Sequence, residues 1–304
     1  MNRPSALNKG DTISLIAPAS PVTVEQLNAS VKFLQDLGFI VKVGESCRSH
    51  HGYLSGDDKT RAYDINKSFY DKEIKGVFTI RGGYGCTRIL DLIDYNIIKN
   101  NPKVFIGFSD ITALHVAFNQ VCNLITYHGP MPSSEFIKTT DSYTLKVYLD
   151  TIYQNEPKTY ILNPNNIELQ SLHPGCASGK LVGGNLSVLC SMLGTKYEID
   201  TKDKILFIED IGEEPYKVDR MLTQLRQCNK LNDTNGIIIG KFTNCNPNDK
   251  KRSLTLEEVL SENLLSLKIP IVYNLQCGHC LPTLTLPLGE NIYIDSTNKS
   301  IMII

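Results

Sequence analysis

The chain has 304 residues, enough for two moderate hydrophobic cores, and its hydrophobic (41%) and charged (21%) fractions are those of a globular protein. The formal net charge of -1 gives no reason to expect a nucleic acid or an anionic membrane as a partner. No segment approaches the roughly 20 apolar residues of a spanning helix, and the start MNRPSALNKG lacks the apolar core of a signal peptide. The nine cysteines show no framework-like spacing, which indicates free thiols in a reducing compartment and predicts a cytoplasmic protein.

Residues 1–130 alternate short apolar segments with helical patterns. Apolar, β-branched runs predict four buried strands, at 12–18, 39–43, 76–80 and 104–108. Apolar residues at helical spacing predict helices at 24–38 and 87–95. This alternation predicts a doubly wound α/β domain with a mostly parallel sheet. Ligands bind beyond the carboxyl ends of such strands, so we expect the loop RGGYG (81–85) and Ser109 to be neighbours.

The rest of the chain has a different character. Polar and turn-forming residues dominate the region before residue 175, which predicts a linker over 141–174. Strand and helix patterns return less regularly afterwards, as in KILFIED, YKVDRMLTQLRQC and GIIIGKF. We therefore predict an amino-terminal domain over 1–140 and a smaller, mixed α/β carboxy-terminal domain over 175–304.

Ser109 follows an apolar strand in VFIGFSDITALH, and two interpretations fit it. A serine at the start of a helix is commonly an N-cap that accepts a hydrogen bond from an early helix amide. Alternatively, a sharp turn exposes its hydroxyl as a nucleophile and directs the amide of Asp110 at a developing oxyanion. The Gly-x-Ser-x-Gly pattern of lipases is absent, because Ile111 follows Asp110.

Three further segments carry polar residues at strand ends or turns. RGGYG is either a plain turn or a loop that presents backbone amides to a ligand, and it lacks the spacing of nucleotide-binding motifs. Glu209 ends the apolar run KILFIE and is either solvated or the acidic partner of a histidine. His279 lies in the turn Cys277-Gly278-His279-Cys280, where a thiol–disulfide motif is weakly supported because Pro282 follows. No second Cys/His pair has zinc-binding spacing, so we expect neither metal nor cofactor.

Taken together, several long segments resemble the LD-carboxypeptidase family of serine peptidases over nearly the whole chain. These segments are GDTISLIAPAS, IRGGYGCTRILDLIDY, VFIGFSDITALH, YHGP, GKLVGGNLSVL, ILFIEDIGEEPYKVDRMLTQL and CGHCLPTLTLPLG. The family uses a Ser…Glu…His triad in that chain order, which implies Ser109, Glu209 and His279 here. Glu213 is close to Glu209 in sequence and remains an alternative for the acidic member. The resemblance also implies a doubly wound first domain and a smaller, swivelling barrel-like second domain.

The resemblance implies acyl transfer from a murein peptide. Ser109 would attack the carbonyl, and the amides of Asp110 and Gly83 would hold the oxyanion. Arg81 is the candidate for binding the terminal carboxylate of the substrate. The expected reaction is release of D-alanine from a murein tetrapeptide during cell-wall recycling, by a homodimer.

A sister branch of the family hydrolyses microcin-type peptidyl nucleotides and confers self-immunity, and its members carry an aromatic, often a tryptophan, on a longer loop. This chain contains no tryptophan, which favours the murein branch. A tyrosine on a loop of the linker region is the alternative stacking residue, and its stacking on adenine would favour the microcin branch instead. Two less favoured alternatives are a non-catalytic peptide-binding module and a thiol–disulfide protein that uses CGHC.

Overall fold

The structure is a computed structural model that describes residues 1–137, 141–153, 160–164 and 167–304. The chain folds into two compact units, one of Met1–Pro157 with Leu281–Gly289 and one of Lys158–Cys280 with Glu290–Ile304. None of the helices in the described ranges combines the length and apolar character that crossing a bilayer requires.

The first unit is built on a six-stranded sheet. With strands numbered along the whole chain, these are β1 (Thr12–Ile16), β2 (Ile40–Val43), β3 (Ile74–Thr79), β4 (Val104–Gly107), β5 (Thr126–His128) and β11 (Leu286–Leu288). The order is β11-β5-β4-β3-β1-β2, and all neighbours are parallel except β11, which pairs antiparallel with β5. Its helices are α1 (Val24–Asp36), α2 (Asp58–Tyr70), α3 (Cys86–Ile89), α4 (Tyr95–Asn100), α5 (Thr112–Cys122) and α6 (Ser142–Tyr153).

Apolar side chains cover both faces of this sheet. Phe78 of β3 packs on one face against Tyr148 of α6, with ring centroids 6.2 Å apart. Phe105 of β4 packs on the other face against Phe118 of α5 at 4.8 Å and Phe69 of α2 at 6.3 Å. All five rings are buried, so the predicted doubly wound, mostly parallel domain is confirmed.

Two helical predictions in this unit need correction. We expected a single helix over 87–95. The chain instead forms α3, then a 3-10 turn at Leu90–Leu92, and then α4. The break arises because the Asp94 side chain caps α4 by accepting from the amides of Asn96 and Ile97, at 3.0 and 3.1 Å. Helix α2 was not predicted, since its buried face includes polar residues such as Arg61 and Asp64 that hide the apolar period.

The chain between the predicted domains is partly regular structure. Helix α6 and a strand at Gln170–His173 lie within the linker expected over 141–174, whose residues 154–159 and 165–166 lie outside the described residues. Leu281–Gly289, which the sequence assigned to the second domain, belongs to the first unit because β11 hydrogen-bonds to β5. Pro287 fits this edge position, since an edge strand tolerates a missing N–H donor.

The second unit is a mixed α/β structure around a curled, half-barrel sheet. Its strands are β6 (Gln170–His173), β7 (Cys176–Asn185), β8 (Ile205–Ile211), β9 (Gly236–Thr243), β10 (Ile271–Tyr273), β12 (Asn291–Asp295) and β13 (Ser300–Ile303). The central strands β7, β8, β9 and β10 are parallel, and antiparallel strands flank them in the order β13-β12-β7-β8-β9-β10-β6. Its helices are α7 (Leu186–Ser191), α8 (Pro215–Gln227) and α9 (Leu256–Leu264), so the predicted mixed class is confirmed.

Candidate active site

Ser109 lies in a strained turn between β4 and α5. Its φ is +65°, in the left-handed region that a non-glycine residue adopts at a cost of about 1–3 kcal/mol. It begins a 3-10 turn, Ser109–Ile111, whose N-cap is Phe108, while the N-cap of α5 is Ile111. Ser109 is therefore not an N-cap, and neither N-cap residue makes a capping hydrogen bond with its side chain. The geometry agrees with the alternative, a sharp strand-to-helix turn with a half-buried serine.

Buried contacts behind this turn fix its position. A Cβ on Gly107 would lie 2.1 Å from Thr79 Oγ1, so only glycine fits there. The Gly107 carbonyl accepts hydrogen bonds from the Gly129 amide at 3.1 Å and from His115 Nε2 at 2.8 Å. Burial lowers the pKa of His115 to about 4, so the ring is neutral and donates through Nε2–H. His115 therefore serves the turn as a structural donor.

The RGGYG loop packs directly against Ser109, as the strand-end rule predicts. A Cβ on Gly82 would lie 2.9 Å from Ser109 Cβ, and a Cβ on Gly83 would lie 2.2 Å from Ser20 Oγ. Gly83 also has a φ of +121°, which disfavours any side chain. The Tyr84 amide donates to Ser20 Oγ at 3.2 Å. The loop needs its glycines because the backbone of each approaches another residue closely.

A buried arginine anchors this loop from beneath. Arg61 is completely buried, and its Nη1 donates to the carbonyls of Pro18 at 2.6 Å and Gly85 at 2.8 Å. Its guanidinium also pairs with Asp58, which Arg88 binds at 2.8 Å from the other side. Sequence analysis missed this residue, since nothing in its local pattern distinguishes a buried arginine from a solvated one.

Asp110 and Arg81 adjoin the turn and the loop. The Asp110 carboxylate is buried, and it accepts from the Cys86 amide at 2.8 Å. Burial raises the pKa of Asp110. Its own amide lies in the first helical turn, where N–H groups have no intrahelical acceptor. Arg81 is half-buried and donates to the Pro21 carbonyl at 3.2 Å, and no carboxylate of the described residues forms an ion pair with it.

Glu209 and His279 form a hydrogen-bonded pair in the second unit. Glu209 lies near the end of β8 and is completely buried, and its Oε2 accepts from His279 Nδ1 at 2.7 Å. The same oxygen lies 3.3 Å from the His279 amide, and Asn185 Nδ2 donates to the other oxygen at 3.3 Å. Thr243 Oγ1 donates to the His279 carbonyl at 2.6 Å. With Nδ1–H on the carboxylate, Nε2 is the basic nitrogen of the neutral ring.

The acidic alternative, Glu213, has a different partner. Its carboxylate pairs with Lys217 at 3.2 Å, and the two side chains are 27% and 42% exposed. The structure thus brings Glu209, not Glu213, to His279. The choice between two nearby glutamates depended on which of them points into the unit, which the local sequence does not specify.

The CGHC segment shows no sign of redox function. All nine cysteines are free, and Cys277 is completely buried. Burial raises the pKa of Cys277 well above its usual value, which disfavours the thiolate that thiol–disulfide exchange requires. Among the described residues, no cluster of His, Cys, Asp and Glu side chains is suited to hold a metal ion.

The units carry the candidate residues separately, Ser109 with Gly83, Asp110 and Arg81 in the first, and Glu209 with His279 in the second. Two family models match these parts of the chain, the LD-carboxypeptidase N-terminal domain over residues 13–129 and the LD-carboxypeptidase C-terminal domain over 178–294. The chain belongs to the LD-carboxypeptidase family. The resemblance inferred from its motifs is therefore confirmed.

Relatives of this LD-carboxypeptidase family member support the assignment. A probable murein peptide carboxypeptidase of Bacillus subtilis is 44% identical over 304 residues, which cover 99% of this chain and 94% of the relative. The microcin C7 self-immunity protein MccF of Escherichia coli is 33% identical over 325 residues, covering 97% and 93% of the two chains. The crystal structure of the muramoyltetrapeptide carboxypeptidase from Oxalobacter formigenes has a TM-score of 0.84 and 29% identity, covering 96% and 97%.

Gly278, which directly precedes His279, allows a specific prediction for this family member. Gly278 has a φ of +110°, and a Cβ there would lie 2.4 Å from Glu209 Oε2. Gly278→Ala is expected to displace the carboxylate from His279 and to lower kcat about 10²-fold, the usual effect of a misplaced catalytic group. The measurement is the steady-state rate of carboxypeptidase turnover together with the temperature of unfolding.

Gly194→Ala is the matched control, because Gly194 also has a positive φ, +79°, but no atom lies within 4 Å of its added Cβ. The control variant carries the backbone strain of about 1 kcal/mol, but its added Cβ does not collide with another residue. It should therefore unfold at a lower temperature than the wild type and keep its activity. Equal activity losses in the two variants would show that strain, not displacement of Glu209, limits Gly278→Ala.

Proposed function

We propose that this protein is a serine LD-carboxypeptidase that hydrolyses the bond releasing terminal D-alanine from murein tetrapeptide. The observation that carries the proposal is the 2.7 Å hydrogen bond between half-buried His279 and buried Glu209, in a chain whose strained turn at Ser109 fits a nucleophile. Family membership and the similarity to a relative named as a murein peptide carboxypeptidase support the substrate class.

In the proposed mechanism, His279 Nε2 removes the proton of Ser109 as its Oγ attacks the peptide carbonyl. The resulting imidazolium is stabilised by Glu209, which accepts the Nδ1 proton in a hydrogen bond. The amides of Asp110 and Gly83 hold the oxyanion. His279 then protonates the departing D-alanine, and a water activated by the same nitrogen hydrolyses the acyl-enzyme.

We also propose roles for the remaining predicted features. Arg81 would bind the carboxylate of the terminal D-alanine, since guanidinium groups recognise carboxylates with paired hydrogen bonds. The first unit would supply the nucleophile, and the second the general base and its acidic partner. The cytoplasmic location and the homodimer remain predictions, and the nine free cysteines agree with a reducing compartment.

The proposal is tested with murein tri-, tetra- and pentapeptides as separate substrates. Purified protein is expected to release D-alanine from the tetrapeptide only, because a single D-residue follows its third, L-configured centre. Mass spectrometry of the products identifies the bond that is cut. Intact tetrapeptide after prolonged incubation, or cleavage of the pentapeptide alone, would contradict the proposed reaction.

The microcin-type alternative has weaker support. MccF is 33% identical, against 44% for the relative named as a murein peptide carboxypeptidase. The chain also contains no tryptophan to stack on a nucleobase. We therefore favour the murein peptide as the substrate.

A further inference from the structure

A cavity of about 400 Å³ lies at the amino-terminal edge of the sheet in the first unit. Its charged lining consists of Asp11, Lys72, Lys75 and Lys103. Asp11 directly precedes β1, Lys75 is the second residue of β3, and Lys103 directly precedes β4. Because these three strands are parallel neighbours, their first residues meet at one edge. Ser109 follows the opposite end of β4, so the cavity is separate from the turn that carries the candidate nucleophile.

Lys103 places a buried ammonium group in this cavity. The residue is only 7% exposed, and its Nζ donates to the carbonyls of Ser68, at 2.8 Å, and Asp71, both at the end of α2. An ammonium group has three donors, and no residue in the described ranges accepts the third. Both acceptors are neutral, so no carboxylate of these ranges balances the charge. A buried charge of this kind is suited to an anionic ligand.

The other two lysines make the cavity positive. Lys72 and Lys75 are exposed, and Lys75 Nζ donates to the Lys72 carbonyl at 3.2 Å. Neither forms an ion pair with a carboxylate of the described part of the chain. Asp11 accepts from the Asn8 amide at 2.7 Å. Three ammonium groups against one carboxylate produce a positive potential, which a concave site concentrates.

We propose that this cavity binds a tetrahedral dianion, either free phosphate or the phosphate group of a small phosphomonoester. The excess of two positive charges in the lining matches a dianion. Lys103 donates its third hydrogen to the anion, and Lys72 and Lys75 bind further oxygens, since lysines bind phosphate as point charges. A volume of about 400 Å³ is in the range of small-molecule sites and holds more than a phosphate group. The inference does not depend on the proposed function.

The charge of Lys103 makes the binding depend on pH. Burial lowers the pKa of Lys103 to about 8; Asp71 opposes this shift, and the positive charges of Lys75 and Lys42 add to it. Lys42 pairs with Asp71 at 2.8 Å, which raises the pKa of Lys42 and lowers that of Asp71. Both therefore stay charged near neutral pH, while Lys103 loses its charge as the pH rises through about 8. Anion affinity should fall with it.

The test is calorimetric titration of the full chain with sodium sulfate, which remains a dianion across the pH range used. The affinity of the wild type is expected to fall about tenfold from about pH 7 to about pH 9, as the charged fraction of Lys103 does. Lys75→Gln should lower the affinity about tenfold at the lower pH, because it removes one charge-assisted hydrogen bond. Lys103→Gln should lose both the affinity and its pH dependence. Since Lys103 also holds the end of α2, the Lys75→Gln result is decisive if Lys103→Gln does not fold.

Lys99→Gln is the matched control, because it removes an exposed positive charge of the neighbouring helix α4 and does not line the cavity. An unchanged affinity in Lys75→Gln, or an equal loss in Lys99→Gln, would overturn the proposal. A loss in Arg81→Gln without one in Lys75→Gln would place the anion at the RGGYG loop and would also overturn it.

Titrations with inorganic phosphate and with glycerol 3-phosphate distinguish the two sources of the dianion. Tighter binding of glycerol 3-phosphate identifies a phosphomonoester site, and equal or weaker binding identifies a site for free phosphate. Failure of the wild type to bind sulfate and both phosphates would overturn the proposal. None of these titrations contains a peptide substrate, so a protein that leaves murein tetrapeptide intact can still confirm the anion site.

Discussion

Ser109→Ala is expected to lower D-alanine release by at least about 10³-fold, because the variant lacks the nucleophile on which the acyl-enzyme route depends. The fold should be unaffected, since no cap hydrogen bond is lost at the start of the 3-10 turn or of α5. The measurements are the rate of D-alanine release, circular dichroism and tetrapeptide affinity. We expect only the rate to change.

Ser109→Gly tests the strain at this turn separately. The Ser109 backbone has a φ of +65°, which glycine adopts freely and alanine does not. The glycine variant should be as inactive as the alanine variant and should unfold at a temperature no lower. Retained peptidase activity in either variant would exclude Ser109 as the nucleophile, and a less stable glycine variant would argue against strain.

Glu209→Gln is expected to lower kcat by about 10²–10⁴-fold with little change in KM, and the reason is the tautomer of His279. Asn185 Nδ2 donates to one oxygen of Glu209, so a glutamine there should turn its own oxygen toward Asn185. Its NH₂ group then faces His279 Nδ1, which becomes an acceptor. The imidazole proton must move to Nε2, and the ring can no longer accept the proton of the nucleophile.

Glu213→Gln is the matched control for this prediction. It removes one carboxylate from the same loop region, but the pair with Lys217 is partly exposed and contributes at most about 1 kcal/mol. Its activity should remain within about twofold of the wild type, as for most surface substitutions. A large loss in Glu213→Gln and a small one in Glu209→Gln would reverse the assignment of the acidic residue.

The alternating strands and helices of the first unit were predictable because the signal is local. Runs such as TISLI and VFIG are almost completely buried, so each apolar pattern predicts its own strand. The errors occurred where a distant contact outweighed the local pattern. Strand β11 follows most of the second unit in sequence but completes the first sheet, because its backbone hydrogen-bonds to β5.

The features of the candidate site likewise divide into those that the sequence predicted and those that only the folded chain shows. The sequence by itself determined the family, through long ordered motifs, and indicated Ser109, Glu209 and His279 as candidates. The tertiary structure decided that Ser109 adopts a left-handed turn rather than a cap, and that Glu209 rather than Glu213 contacts His279. The Glu209–His279 hydrogen bond joins residues 70 positions apart, and Arg61 reaches a loop 24 positions away. Side-chain contacts over such separations form only when the chain folds, so no local pattern encodes them.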